Sequence, residues 1–259
     1  VKKNRPPGNG ERSIPMGITR MKCNRIDNPL GFSLGQPRLS WVTEAPGAKL
    51  QTAAQIQVAE EEDFGRILYD SGRRDDMDSL GFRLPLELNP RTRYYWRVTV
   101  WTDRKEEIKS PVAWFETSKM GEPWTAKWIT PDWEEKDIHP LLRKGFFLDG
   151  EVASARAYTC GLGLYEMELN GKKAGEEYLT PYCNAYDKWI QYQTYDISDL
   201  VSPGENAVGI MLGNGWYKGR FGFQDNTGNI YGDTMACICE LIITYKDGRF
   251  SKTRTRSCC

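Results

Sequence analysis

Few residues of this 259-residue chain sit where they could do covalent chemistry. His139 is the sole histidine, and it stands in the stretch Ile138-His139-Pro140 with no Gly-x-Ser-x-Gly elbow elsewhere to supply a nucleophile. The seven cysteines are an odd number and include no CxxC pair, which disfavours both a zinc site and a disulfide framework. Cys237 and Cys239 are two apart, so a strand would turn both to one side and make them poor partners for each other. Free, mostly buried thiols in a reducing cytoplasm are the expectation. Asp75, Asp76 and Asp78 lack the glycine turn and closing glutamate of a calcium loop. Asp225, Asn226, Asn229 and Asp233 read as a polar surface loop, and no phosphate-cradling loop or dinucleotide fingerprint occurs. The sequence therefore predicts no catalytic residue, no metal and no cofactor. What remains are rings. Trp189, Trp216, Tyr217, Phe221 and Phe223, with Asn214 beside them, have faces that suit loop packing, docking on another domain, or stacking on a sugar.

The elements that would position these rings are strands. Helical periodicity is scarce, and its best stretch, Glu60–Leu68, is short and interrupted by Gly65. Runs rich in Val, Ile, Thr and aromatic residues recur at 38–43, 53–59, 82–86, 94–102, 113–117, 153–158, 165–169, 207–212 and 236–245. Asn170-Gly171, Pro203-Gly204, Asn214-Gly215 and Asp247-Gly248 punctuate them. Many short strands and turns predict an all-β chain of sandwiches. With 39% hydrophobic and 12% aromatic residues, two domains can bury real cores. Thirty-five basic residues balance thirty-five acidic ones, and no basic stripe appears, so nucleic acid is not an expected partner. Nor is a membrane, since no apolar run approaches the ~20 residues of a spanning helix.

In the first half, Pro37-Arg-Leu-Ser-Trp41, Leu88-Asn-Pro-Arg-Thr-Arg-Tyr94 and Trp114-Phe-Glu-Thr117 follow in order. This series resembles a fibronectin type III domain. Tyr94, Trp96, Val98 and Val100 alternate onto one face, and Tyr94 is placed as a corner tyrosine with its hydroxyl tied to backbone. Trp41 and Trp96, at strand-interior positions, are expected to fill the core rather than to stack on sugars.

The second half carries Ala126-Lys-Trp-Ile129, Arg143-Lys-Gly-Phe-Phe147, Leu164-Tyr-Glu-Met-Glu-Leu-Asn-Gly-Lys172, Tyr192-Gln-Thr-Tyr-Asp-Ile197, Leu212-Gly-Asn-Gly-Trp-Tyr-Lys-Gly219 and Tyr231-Gly-Asp233. Tyr165, Met167 and Leu169 alternate into an Asn-Gly turn of type I′, which sets a hairpin register. The ordered series resembles the N-terminal β-sandwich of bacterial α-L-rhamnosidases, glycoside hydrolase family 78, and with Asp27-Asn-Pro-Leu-Gly31 the likeness runs over residues 21–250. It implies a fibronectin type III-like sandwich at 21–118, a linker at 119–123, and a jelly-roll-like sandwich at 124–250. It also implies that hydrolysis of terminal α-L-rhamnosides, by two carboxylic acids, belongs to a separate helical barrel C-terminal to these domains. No acidic pair here matches that family's catalytic motifs, and the Thr130–Leu142 interval is too short for the calcium-dependent module some members insert there.

The expected role is thus a non-catalytic accessory scaffold, inactive alone, with the barrel as its partner. Rhamnose-containing glycans and self-association are further partner expectations. A stand-alone carbohydrate-binding protein and a fibronectin-type interaction module are the alternatives. The strand at 207–212 is expected to deliver residues 213–219 to an exposed loop. Residues 1–20 read as a non-native leader, because Glu11-Arg12-Ser13 can be encoded by codons containing AGGAG ahead of Met16. Residues 251–259 read as an aberrant, frameshifted tail.

Overall fold

Alternation builds the first sandwich. In the computed structural model, which describes residues 16–133, 135, 138–220 and 228–255, nine strands form before Met120. They are β1 (Gly17–Cys23), β2 (Leu30–Phe32), β3 (Arg38–Glu44), β4 (Gln51–Ala59), β5 (Ile67–Asp70), β6 (Phe82–Arg83), β7 (Arg93–Thr102), β8 (Glu107–Lys109) and β9 (Ala113–Thr117). One sheet has the order β1-β3-β6 and the other β2-β9-β7-β4-β5, with β8 added to β7. Every second residue of β7 from Tyr94 to Val100 is buried, facing Leu39, Trp41, Ile56 and Leu84. Trp41 and Trp96 are core residues, and the Trp41 indole N–H donates to Gln51 Oε1 at 3.1 Å.

Tyr94 closes the corner as the fibronectin type III resemblance implies. Its hydroxyl accepts the Asn89 backbone N–H at 2.8 Å, and its ring lies 5.3 Å from that of Phe115. The strand read at 82–86 stops at Arg83, because Pro85 has no amide to donate to a ladder, although Leu84 still fills the core. The stretch 60–68 forms turns leading into β5 rather than a helix. Asp76 pairs with Arg74 at 2.7 Å instead of facing a cation.

The chain divides into two units between Met120 and Gly121. The second unit holds β10 (Leu141–Leu148), β11 (Val152–Leu162), β12 (Leu164–Leu169), β13 (Lys172–Lys173), β14 (Gln193–Asp196), β15 (Gly204–Gly213), β16 (Ala236–Tyr245) and β17 (Phe250–Arg254). Two four-stranded sheets, β10-β15-β12-β13 and β14-β11-β16-β17, enclose the core. Asn170 and Gly171 both have positive φ, 53° and 77°, so the type I′ hairpin forms where the dipeptide places it. Its register buries Tyr165, Met167 and Leu169 against Ile210, Leu212, Cys237, Cys239 and Leu241. The Tyr165 hydroxyl, deep in that core, donates to Gln193 Oε1 at 2.6 Å. The Asp196–Leu200 stretch makes a single 3-10 turn at Ser198–Leu200, with Ile197 fully buried.

A buried carboxylate fastens the start of this unit to its middle. Glu240 of β16 is inaccessible, and its Oε1 accepts the Thr125 backbone N–H, the Thr125 hydroxyl at 2.7 Å and the Ala126 N–H at 2.9 Å. The Lys252 ammonium stands 3.7 Å away. The entering segment thereby lies along the outer side of β16, where Trp124, Ala126, Ile190 and Tyr192 cover Cys160 and Ile238.

Two substitutions test these anchors. Tyr94→Phe should cost the first unit about 1–2 kcal/mol, the usual loss when one buried hydrogen bond goes. Glu240→Ala strands two amide donors and should cost the second unit about 2–4 kcal/mol, with Glu240→Gln milder. Urea unfolding of each variant reads both values. An unchanged midpoint for Glu240→Ala would mean that the strap is not held by this carboxylate.

Candidate functional site

Trp216 and Tyr217 fall at one end of the second sandwich, but not in an exposed loop. After β15 the chain turns at Asn214 into a short helical turn, α1 (Gly215–Lys218). Gly215 has φ 52°, and a Cβ there would meet Leu164 at 2.7 Å, while a Cβ on Gly163 would strike the Gly213 carbonyl. These glycines press α1 onto the start of β12. In consequence Trp216 and Tyr217 are half-buried, and Lys218 is buried. This corrects the expectation of a free loop.

The Tyr217 ring is covered from two directions. Tyr186 meets it edge-on at 5.3 Å, and Tyr186 in turn lies 5.3 Å from Tyr231. Gly232 sits so close beneath the Tyr217 hydroxyl that no Cβ fits there. Burial pushes the Tyr186 phenol up to about 12 and raises Tyr217 as well, with the Asp233 carboxylate adding to the latter. These phenols are therefore neutral at ordinary pH and serve as packing and hydrogen-bonding groups, not as acids. Asn214 Oδ1 is buried with no hydrogen-bond partner among the described residues. Phe221 and Phe223 lie outside the described residues, as do Asp225 and Asn226.

Trp189 is exposed, at 55%, and takes no part in the Tyr186–Tyr217–Tyr231 cluster. It belongs to the segment between β13 and β14, which also displays Tyr178 (70% exposed), Leu179 and Tyr182. Three buried residues, Thr180, Pro181 and Asn184, hold that segment down. Thr180 exchanges hydrogen bonds with the Tyr165 backbone at 2.8 and 3.0 Å, and Asn184 donates to the Pro181 carbonyl at 2.8 Å and accepts Gln191 N–H at 3.2 Å. Leu179 and Tyr182 both occupy the left-handed region, φ 60° and 69°, a costly conformation for such residues that the anchors impose. Sequence reasoning missed Tyr178, Leu179 and Tyr182 because the segment has no periodicity. The signal available was Pro181 amid adjacent apolar residues.

Concavity is slight. A hollow of about 70 Å³ between Thr130, Trp133, Ile138, Asp233 and Met235 is far below the ~300–1,000 Å³ of a small-molecule pocket. In the first unit an open groove of about 580 Å³ is lined by Trp101, but Arg73 already lies 4.6 Å over that ring and the indole N–H donates to Glu107 at 3.2 Å. Among the described residues no three His, Cys, Asp or Glu side chains converge as metal ligands. The described cysteines, Cys23, Cys160, Cys183, Cys237 and Cys239, are all free thiols, and Cys237 and Cys239 share the core side of β16.

Fold and site together define a pair of β-sandwich modules in series, with an aromatic surface on the second. The α-L-rhamnosidase N-terminal domain matches residues 150–257, and the Rha78A-like, N-terminal immunoglobulin domain matches residues 18–121. The latter description suits the fibronectin type III-like reading, since the two share the sandwich architecture. An α-L-rhamnosidase of Formosa agariphila is 32% identical over 240 residues, covering 85% of this chain and 26% of the relative. Among solved structures, the α-L-rhamnosidase of Aspergillus terreus superposes with TM-score 0.82 at 29% identity, over 94% of this chain and 29% of that one. That of Dictyoglumus thermophilum gives 0.79 at 29% identity, over 93% and 29%. The chain carries the N-terminal domains of the α-L-rhamnosidase family and spans about a quarter of the length of the relative it matches.

The thiols give a test of the burial map. Burial raises Cys23, Cys160 and Cys239 to about 12, and Cys237 is raised too, so at pH 8 none of the four is a thiolate. Cys183 is exposed. A thiol reagent at pH 8 should label Cys183 in the native protein and these four only after unfolding, as read by peptide mass spectrometry. Cys258 and Cys259 lie outside the described residues. Rapid native labelling of Cys237 would contradict the core assignment.

Proposed function

We propose that this chain acts as the non-catalytic N-terminal scaffold of an α-L-rhamnosidase, whose larger remaining portion hydrolyses terminal α-L-rhamnosides. The observation that carries this reading is the coverage: the matched domains are N-terminal ones, and about three quarters of the relative's length lies beyond them. In the proposal that remainder is a helical barrel supplying two carboxylic acids, one to protonate the leaving oxygen and one to activate water. The surface it uses here is the aromatic end, with Tyr178, Leu179, Tyr182 and Trp189 outermost and Asn214, Trp216 and Tyr217 behind them. Phe221 and Phe223 belong to the same proposal by their place in the sequence. Rigid exposed rings on buried anchors suit such docking, because little conformational freedom is lost on contact.

A second reading is favoured by the same exposed rings: direct stacking against rhamnose-containing glycans. Both readings meet one set of measurements. The purified chain should leave an aryl α-L-rhamnoside unhydrolysed, and saturable turnover that persists through successive purification steps would overturn the scaffold reading. On a glycan array the scaffold reading expects no signal, whereas rhamnoside binding lost in Trp189→Ala would replace it with the second.

A further inference from the structure

The open groove of the first unit lies between two fixed walls. One is the tip of the β7–β8 hairpin, where the Thr102 N–H donates to the Glu106 carbonyl at 3.1 Å and Arg104 Nε to the Gly47 carbonyl at 2.5 Å. The other is the segment that carries Arg73, pinned to β4 because Arg74 and Ala54 exchange backbone hydrogen bonds at 2.8 and 2.9 Å. The carboxylates that line the groove are already engaged. Asp103 Oδ1 accepts the Lys49 N–H at 3.0 Å, with the Arg104 charge close by. Glu107 takes the Trp101 indole N–H on one oxygen, and its other oxygen stands 3.4 Å from the Lys109 ammonium. The two lining cations are not engaged in this way. Arg73 and Lys105 are exposed, and neither has an ion pair or a side-chain hydrogen bond among the described residues.

We infer that this groove binds a small ligand carrying an oxyanion: a carboxylate, sulfate or phosphate on a polar body. The Arg73 guanidinium lies 4.6 Å over the Trp101 ring, which restrains the side chain and leaves its N–H donors without a partner. A guanidinium held in this way can give two parallel hydrogen bonds to an oxyanion, and little freedom of the long side chain is lost on binding. Lys105 adds a second charge from the opposite wall. Its left-handed backbone, φ 63°, is fixed by its own N–H, which donates to the Thr102 carbonyl at 3.0 Å. The groove's volume of about 580 Å³ falls within the ~300–1,000 Å³ of small-molecule sites. Because Arg73 already covers the Trp101 ring, an uncharged sugar finds no bare face to stack on. The ligand meets charge here, not the ring.

Titration of the intact chain, followed by the NMR signal of the Trp101 indole N–H, tests this. The signal is assigned by its loss in Trp101→Phe. Inorganic sulfate, inorganic phosphate and glucuronate are the probes, and glucose is the uncharged counterpart of glucuronate. At least one anion should give a saturable shift with a dissociation constant on the order of 1 mM, and glucose should give none. The anion that binds most tightly identifies the group the site takes. Arg73→Gln should weaken binding at least ~5-fold, with Arg73→Lys, which keeps the charge but not the fork, falling between it and the unaltered chain. Lys105→Gln, on the other wall, should weaken binding about 2–5-fold. Both positions are exposed, and circular dichroism should be unchanged in each variant. Lys188→Gln, in the second unit, should leave binding as it is. No shift with any anion up to about 20 mM would overturn the inference. So would shifts that persist undiminished in Arg73→Gln with Lys105→Gln, which would mark an adventitious ion only, or an equal response to glucose. The scaffold reading is decided by hydrolysis and by rhamnoside binding at Trp189 of the second unit, so the two can fail separately.

Discussion

The second unit is organised around one carboxylate taken out of water. A buried, unpaired Glu240 would cost several kcal/mol in lost hydration. It is tolerable because three donors from Thr125 and Ala126 converge on one oxygen, and Lys252 stands close by. The donors come from the first residues of the unit, whereas the lysine comes from its last strand. Thr255, just past that strand, donates its hydroxyl to the Lys127 carbonyl at 2.7 Å and its amide to Cys239 at 2.9 Å. Both ends of the unit therefore meet at β16. A strand that might otherwise have been an ordinary sheet member becomes the place where the chain closes on itself.

Closure on one side leaves consequences on the others. The strap that reaches Glu240 also covers the outer face of its sheet, through Trp124 and Tyr192, whose rings meet edge-on at 5.5 Å. Among the described residues the opposite sheet gains no equivalent segment, and Leu141, Phe147 and Met211 stay exposed on it. At the end of the sandwich the constraint is steric. Gly163 and Gly215 let two backbones approach more closely than a Cβ would allow, and that approach half-buries Trp216 and Tyr217. The rings left for solvent are those of the 178–189 segment, held in unfavourable backbone angles by buried Thr180 and Asn184.

Much of this was legible in the sequence where a rule is local. Period-two alternation located Tyr94 through Val100 and Tyr165 through Leu169, and the Asn170-Gly171 dipeptide needed only its own φ preference to set a turn. The corner tyrosine, its hydroxyl tied to backbone, was implied by the fibronectin type III resemblance, and the structure supplies Asn89 as its partner. What escaped were features set by tertiary neighbours. The glycines after Leu212 signalled unusual backbone, but their partner was Leu164, nearly fifty residues earlier, and without it a compressed turn and an exposed loop look alike. Tyr178 and Tyr182 point outward because Thr180 and Asn184 point inward, and nothing in their own spacing says so. Glu240 reads as one charged residue among hydrophobic neighbours, and its partners lie more than a hundred positions away.

The distribution of polarity argues for a body built to hold position. Its buried polar groups are spent on closure: Glu240 on the strap, Thr180 and Asn184 on the display segment, Tyr165 on Gln193. Each of these is satisfied by a neighbour in the fold. The Tyr186 and Tyr217 phenols are raised by burial and stay neutral, and the buried thiols of Cys160, Cys237 and Cys239 are raised out of nucleophilic range. Groups whose charge changes near working pH suit acid–base chemistry, and burial moves these five away from that range. The exposed rings of Tyr178, Tyr182 and Trp189 offer a surface suited to act by contact.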